Sequence, residues 1–227
     1  MSEGENVGEL RAVFLGRMRF APVLELQLAL REAILAGTAP PTILLVEHPA
    51  VLTLGRRGRR EDVIWTDEQL AAFGVEICET PRGGQVTLHA PGQLVAYPIV
   101  RIGFEVRRHV TQMGRAAVEL LDGVGVPGCD VRTDKLGVWL GEHKLASMGV
   151  HVSRGITVQG IAINLDVDAR LFGALVSCGL PAATMDNAKR FGAAAIAMDE
   201  AARRYAEAFA RARGDSLVHA PRSALVP

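Results

Sequence analysis

Three segments carry residue types and spacings that can do chemistry. The first is Pro81-Arg82-Gly83-Gly84-Gln85-Val86-Thr87-Leu88-His89-Ala90-Pro91-Gly92-Gln93. Paired glycines let a backbone approach a ligand closely, and Arg82, Gln85 and His89 set polar groups beside that backbone. A glycine turn before a strand with an incidental histidine is the plainer reading. The second segment is KLASMGVHVSRGITVQGIAINL, from Lys144 to Leu165. Small residues Ala146, Ser147 and Gly149 alternate with larger ones, and Gly160 and Ala162 repeat the pattern. Strands of this kind floor a pocket or simply pack closely in a sheet. The third segment, Leu175-Val176-Ser177-Cys178-Gly179-Leu180-Pro181, sets a cysteine on a bend.

A cysteine thiolate forms covalent acyl intermediates. The chain has three cysteines, Cys78, Cys129 and Cys178. The usual state of a lone cysteine is that of a small buried hydrophobe. Cys78 in VEICET and Cys129 in PGCD suit that state, whereas the neighbours of Cys178 point to exposure. An odd, sparse set argues against a disulfide framework and suits a reducing cytoplasm. No two cysteines have C-x2-C spacing and the histidines form no H-E-x-x-H, so no metal site is expected.

The elements that must position these residues are legible in part. Residues 21 to 37 read as a helix, with Pro22 in the first turn and Gly37 at the end. Thr42 to Glu47 is a short apolar run, a buried strand, and Val51 to Leu54 a second strand leading into a glycine-arginine loop. Thr66 and Gln69 form a capping-box pattern opening a short helix that Gly74 closes. Strands are expected at 75–79, 85–89 and 94–100, the last two separated by the turn signal Ala90-Pro91-Gly92. Residues 105 to 121 have helical spacing, with Val106, Val110, Met113, Ala117 and Leu120 on one side. A hairpin is expected from 137–140 and 144–152, followed by a strand at 156–165 and a short helix at 168–176. Residues 194 to 213 read as an alanine-rich helix, and the last dozen residues as frayed. Strands cluster instead of alternating regularly with helices, which favours an α+β class: a mixed, largely antiparallel sheet flanked by helices.

With 227 residues, 49% hydrophobic and 22% charged, the chain is expected to fold as a single domain, residues 1–227, with a core from about 10 to 213. Formal net charge is zero, which gives no global attraction to nucleic acid or a membrane surface. No apolar run approaches the length of a membrane span, and the acidic, polar start does not read as a signal peptide. No nucleic-acid or membrane partner is expected.

The segments RGGQVTLHAPGQ, KLASMGVHVSRG, GIAINL and SCGLP occur in the order and approximate spacing of the lipoyl(octanoyl) transferases. LVEHPAVLTLGRRG also resembles that family's strand and loop after the first helix. The likeness runs from Leu10 to Arg213. It implies the fold of biotin and lipoate protein ligases and an acyltransferase that needs no cofactor. In that family a cysteine carries the acyl group as a thioester and a lysine beside it tunes the thiol; the matching positions are Cys178 and Lys144. The acyl-binding stretches map to Arg82, Gly83, Gly84, Gln85, Val86, Thr87, Leu88 and His89, to Ser147, Met148 and Gly149, and to Gly160, Ile161 and Ala162. The implied partners are octanoyl-acyl carrier protein, lipoyl domains of 2-oxoacid dehydrogenase complexes and the glycine cleavage H protein. Two positions depart from the pattern: Gln159 stands where the family has histidine, and Ser177 where it has proline. No role is carried over to Gln159.

Rival readings are an ATP-dependent lipoate or biotin ligase, since Gly55 to Arg60 resembles the biotin ligases' adenylate loop, a non-catalytic binder, and a cysteine hydrolase. The requirement for ATP separates the first from the transferase.

Overall fold

The computed structural model describes residues 8–175 and 184–225. Among the described residues eleven strands fall into two sheets. The strands are β1 (Glu9–Arg17), β2 (Thr42–Glu47), β3 (Val51–Leu54), β4 (Glu76–Glu79), β5 (Val86–His89), β6 (Gln93–Ile99), β7 (Asp130–Arg132), β8 (Gly137–Leu140), β9 (His143–Ser153), β10 (Ile156–Asn164) and β11 (Ser216–His219). The larger sheet has the order β11-β1-β2-β6-β10-β9-β8-β7 and the smaller β4-β3-β5. In the larger sheet β1 pairs parallel with β11 and β2, and the remaining pairs are antiparallel. The expected mixed, largely antiparallel α+β arrangement is what forms.

Among the described residues four α-helices flank the sheets: α1 (Phe20–Ala36), α2 (Asp67–Ala72), α3 (Val106–Gly123) and α4 (Met198–Arg213). Helix α1 buries Phe20, Val23, Gln27, Leu30 and Ile34, one stripe at helical spacing. Gly37 ends it in the left-handed region at φ 74°, and Thr38 N–H closes onto Ala33 O. Helix α2 opens with the expected reciprocal cap between Thr66 and Gln69. Helices α3 and α4 cover one face of the larger sheet, burying Met113, Leu120, Leu121, Tyr205 and Phe209 with Leu45, Leu94 and Ile163. Helix α1 covers the other face, where Val23 and Leu30 share a core with Leu44, Val95 and Tyr97. Strands β6 and β10 are buried at every position, as the central strands of a two-sided sheet must be.

Several expectations need correction. Val106 is exposed at 38%, so the apolar stripe of α3 begins at His109 and Val110. The last helix starts at Met198 and not at Ala194, because Ala194 N–H is drawn to Val124 O at the end of α3. The helix at 168–176 is a 3-10 turn, Ala169–Ala174, opened by the Asp168 carboxylate; Leu175 is extended and bridges Val63. The C-terminal residues are not frayed through Leu225. Strand β11 adds to the edge of β1, Ala220 N–H bonds Ala12 O, and Leu225 is buried.

Candidate active site

The floor of the site is the antiparallel pair β9–β10. Gly149 faces Gly160 across it, and Ser147 faces Ala162. This is the small-residue pattern visible in the sequence, and it leaves a narrow cleft of about 20 Å³ above the sheet, room for about one water molecule. Gly160 is fixed by close approach: a Cβ there would lie 2.0 Å from Ala96 O on β6. Met148 and Ile161 complete the floor, Thr87 and His89 line it from β5, and Val95 and Tyr97 from β6.

Arg82 stands at the cleft on the loop before β5. It is 5% exposed, and its Nη2 donates to Thr53 O at 2.7 Å and Thr53 Oγ1 at 2.9 Å. The same loop is clamped to the glycine-arginine turn. Gly55 N–H bonds Gln85 O, Arg56 N–H bonds Arg82 O and Arg57 N–H bonds Gly84 O. A Cβ on Gly55 would meet Gly84 O at 2.6 Å, so the glycines of both loops serve this contact. Of the run from Arg82 to His89, Arg82, Thr87 and His89 face the cleft. Val86 and Leu88 point into the core under the small sheet, as strand alternation requires. Gly83, Gly84 and Gln85 shape the loop.

The inner end of the cleft is aromatic. The His89 ring stacks on Phe20 at 5.7 Å, and His48 sits edge-on to both. Met18 O, which can only accept, faces His48 Nδ1 at 2.6 Å, so Nδ1 carries the proton and Nε2 accepts from Tyr97 Oη at 3.0 Å. Burial pushes His48 down to about 4 and His89 to about 3, with the neighbouring His48 adding to the shift of His89. Both rings are neutral at physiological pH.

Lys144 is on β9, three residues before Ser147, and is 6% exposed. Its Nζ lies 5.6 Å from the centroid of Trp139. A Cβ on Gly137 would lie 2.5 Å from Lys144 Cε, so the missing side chain at 137 is the room the lysine stem uses. The backbone of Lys144 bridges Met185, and its carbonyl accepts from Asp186 N–H at 3.1 Å. Cys178 and Ser177 lie outside the described residues, in the stretch 176–183 between Leu175 and Thr184. Both flanks of that stretch are held, Leu175 by Val63 and Met185 by Lys144. The other two thiols are tuned away from ionisation. Burial and then Glu76 and Glu79 raise Cys78, while burial and then Asp122 and Asp130 raise Cys129 to about 11.

Gln159 also lines the cleft. It has φ 65°, its N–H donates to Gln27 Oε1 at 2.8 Å, and its buried Nε2 has no hydrogen-bond partner among the described residues. Phe20, Val95, Tyr97 and Trp139 carried no motif that marked them for the cleft or for Lys144, and His48 stood in LVEHPAVLTLGRRG without a role. Their spacing to the motifs is unrelated to function, and only folding brings them there.

The large mixed sheet flanked by helices is a fold shared with solved lipoate and biotin protein ligases. The ligase and E2 lipoyl domain of an archaeal lipoylation system from Thermoplasma acidophilum include a chain that superposes with TM-score 0.73 at 18% identity, covering 96% of this chain and 90% of that one. Biotin protein ligase from Aquifex aeolicus superposes with TM-score 0.52 at 11% identity, covering 89% and 68%. In sequence, residues 20–210 match the lipoyl protein ligase A/B catalytic domain. An octanoyltransferase of Solibacter usitatus (strain Ellin6076) is 40% identical over 201 residues, 87% of this chain and 90% of that protein. The chain belongs to the lipoyl protein ligase A/B catalytic-domain family, and it is an acyltransferase.

Proposed function

We propose that the chain transfers an octanoyl group from octanoyl-acyl carrier protein to the lysine of lipoyl domains through a thioester on Cys178. The observation that carries this reading is the place of Lys144: buried on β9 three residues before Ser147 of the cleft floor, with its backbone paired to the residues that follow the Cys178 segment. The acceptors are the lipoyl domains of 2-oxoacid dehydrogenase complexes and the glycine cleavage H protein, and the step belongs to protein lipoylation in the cytoplasm. The relatives named octanoyltransferase support the octanoyl group, and the archaeal relative of the fold was solved as a system with its E2 lipoyl domain. The whole of 1–227 acts as one catalytic domain.

In the first half-reaction the Cys178 thiolate attacks the thioester carbonyl. A C–S bond forms to Cys178, and the bond to the carrier's thiol breaks. One thioester replaces another, so the step is near balance and needs no nucleotide. In the second, the lipoyl lysine amine attacks, the amide C–N bond forms, and the Cys178 C–S bond breaks. The amine proton passes to the released thiolate, with Lys144 as the carrier. A free thiol near pKa 8.5 is only a few per cent ionised at neutral pH. A lysine ammonium beside it favours the thiolate. The acyl chain is assigned to the cleft with the floor Ser147-Met148-Gly149 and Gly160-Ile161-Ala162, whose narrow opening must part to admit it.

The ligase reading rests on the shared fold and on the likeness of the Gly55-to-Arg60 loop to an adenylate loop. The glycines of that loop have a structural use, the backbone clamp onto Arg82 to Gln85. The test is transfer to a purified lipoyl domain in the absence of nucleotide. Octanoylated lipoyl domain, seen by intact mass with no ATP present, is the expected result. Product that appears only with ATP and free octanoate would replace this proposal with the ligase reading.

A further inference from the structure

A buried chain of side-chain amides runs from the inner end of the cleft to the strand edge beside Lys144. His89 Nδ1 lies 2.8 Å from Gln93 Oε1. Gln93 Nε2 donates to Leu88 O at 3.1 Å and to Asn164 Oδ1 at 2.8 Å. Asn164 Nδ2 donates to Asp186 O at 2.8 Å, and Asp186 N–H donates to Lys144 O at 3.1 Å. Gln93 is 2% and Asn164 1% exposed.

The direction of this chain follows from its ends. Leu88 O and Asp186 O are carbonyl oxygens and can only accept, so the amide groups facing them are the NH2 groups. The oxygens of both amides then face the other way, and Gln93 Oε1 meets His89 Nδ1. An amide oxygen accepts, so Nδ1 carries the single proton of the neutral ring. Nε2 is left with a lone pair on a residue that lines the cleft.

We infer that Gln93 and Asn164 are positioning residues that lock His89 as its Nδ1–H tautomer, so that Nε2 accepts a hydrogen bond from the attacking amine. This rests on the cleft being the octanoyl site. The octanoyl group offers a carbonyl and an alkyl chain and has no donor for Nε2. The lysine amine of the second half-reaction brings N–H groups. A hydrogen bond from one of them turns the amine lone pair toward the thioester carbon. His89 orients the amine and does not keep its proton, which goes to the thiolate released as the C–S bond breaks. The far end of the same chain is a backbone contact, Asp186 N–H to Lys144 O, which β9 holds independently of Gln93. The tautomer of a ring nitrogen is fixed by what its other nitrogen bonds, and here that partner is an amide.

Two measurements test this. In wild-type protein labelled with 15N-histidine, the His89 ring signals, assigned by their loss in His89→Gln, should show the proton on Nδ1. A proton on Nε2 overturns the inference whatever the variants do. In single-turnover assays Gln93→Met should slow transfer from the acyl-enzyme to the lipoyl domain about tenfold, the equivalent of about 1.4 kcal/mol, while Cys178 acylation changes by less than about twofold. Gln93→Glu keeps an acceptor toward Nδ1, and it should retain the tautomer and more of the second step than Gln93→Met. Equal slowing of both half-reactions in Gln93→Met, or of neither, overturns the positioning role. Absence of any acyl-enzyme in the wild type sinks the octanoyl-transfer reading instead, and the ring signals still report the lock.

Discussion

Gly137 on β8 and Lys144 on β9 share one volume: the space a methyl group would fill at Gly137 is the path of the Lys144 stem, 2.5 Å from Cε. The same Cβ would meet Ala146 O at 2.5 Å. Gly137→Ala must therefore move the lysine and strain the strand pair. We expect the pH profile of Cys178 alkylation to shift upward in this variant, in the direction produced by Lys144→Ala. An opposite charge within about 4–6 Å of a thiol lowers its pKa by roughly 1–3 units, which bounds the shift. The double variant should show no further shift. An alkylation profile of Lys144→Ala that overlays the wild type would contradict the role given to Lys144.

We propose that Gln159 offers a donor to the acyl carbonyl. Its Nε2 is buried in the cleft with no partner among the described residues, while its backbone is held at φ 65° by Gln27. A left-handed conformation costs an L-residue about 1–2 kcal/mol that glycine does not lose. Gln159→Gly should keep or raise the melting temperature and slow acylation of Cys178 about tenfold, the loss of one hydrogen bond. Acylation at the wild-type rate in a stable Gln159→Gly protein would remove this donor from the mechanism.

The turn that carries Arg56 and Arg57 is bonded to the cleft loop, and both side chains are exposed, as is Arg59. We propose that they attract the acidic acyl carrier protein. Arg60 differs, because it pairs with Asp67 at 2.6 Å and caps Val63 O. Arg107 and Arg108 open α3, which covers the other sheet face. Reversing Arg56 and Arg57 to glutamate should raise KM for carrier-bound octanoyl far more than for a small octanoyl thioester. The difference should fade at high salt, since screening acts beyond about 8 Å at physiological ionic strength. Equal effects on both donors would leave the turn a purely structural clamp.

Acid should destabilise the fold through its buried histidines. Burial lowers His48 and His109 to about 4 and His89 to about 3, from 6.5. The unfolded chain takes up protons as pH falls through 6.5 and the folded chain does not until about 4. The stability these groups contribute is thus whole above pH 6.5 and is lost as pH falls toward 4, by up to about 1.4 kcal/mol per pH unit for each ring. Both His109 nitrogens lack a hydrogen-bond partner among the described residues. His109→Leu should flatten the fall in melting temperature between pH 6.5 and 4. An unchanged slope would mean that His109 is not held neutral.

What the sequence made legible is what local chemistry decides. Pro22 and Gly37 bracket α1, the Thr66–Gln69 pair opens α2, and the apolar run 42–47 is a central strand. Strand β1 gave no signal because it is buried on both faces and shifts register between Phe14 and Arg17, which erases alternation. Strand β11 is short and mostly exposed, and its partner lies about two hundred residues away, so only the folded sheet edge explains it. Within the site, the small residues at 147–149 and 160–162 were readable as a floor. The run 82–89 was readable as a unit, but its alternation between cleft and core depends on which face the small sheet presents. Gln93 closes the readable motif RGGQVTLHAPGQ, but its contact with Asn164 is distant in sequence, as is the use of Gly137 by Lys144, which had no signature of its own.

The central claim is a covalent octanoyl group on Cys178. Wild-type protein incubated with octanoyl-acyl carrier protein, without a lipoyl domain, should gain the mass of one octanoyl group, and peptide mapping should place it on the fragment containing Cys178. Cys178→Ala should gain nothing, and adding a lipoyl domain should discharge the wild-type adduct. An adduct on Cys78 or Cys129, or octanoylated lipoyl domain formed by Cys178→Ala at the wild-type rate, would contradict the account.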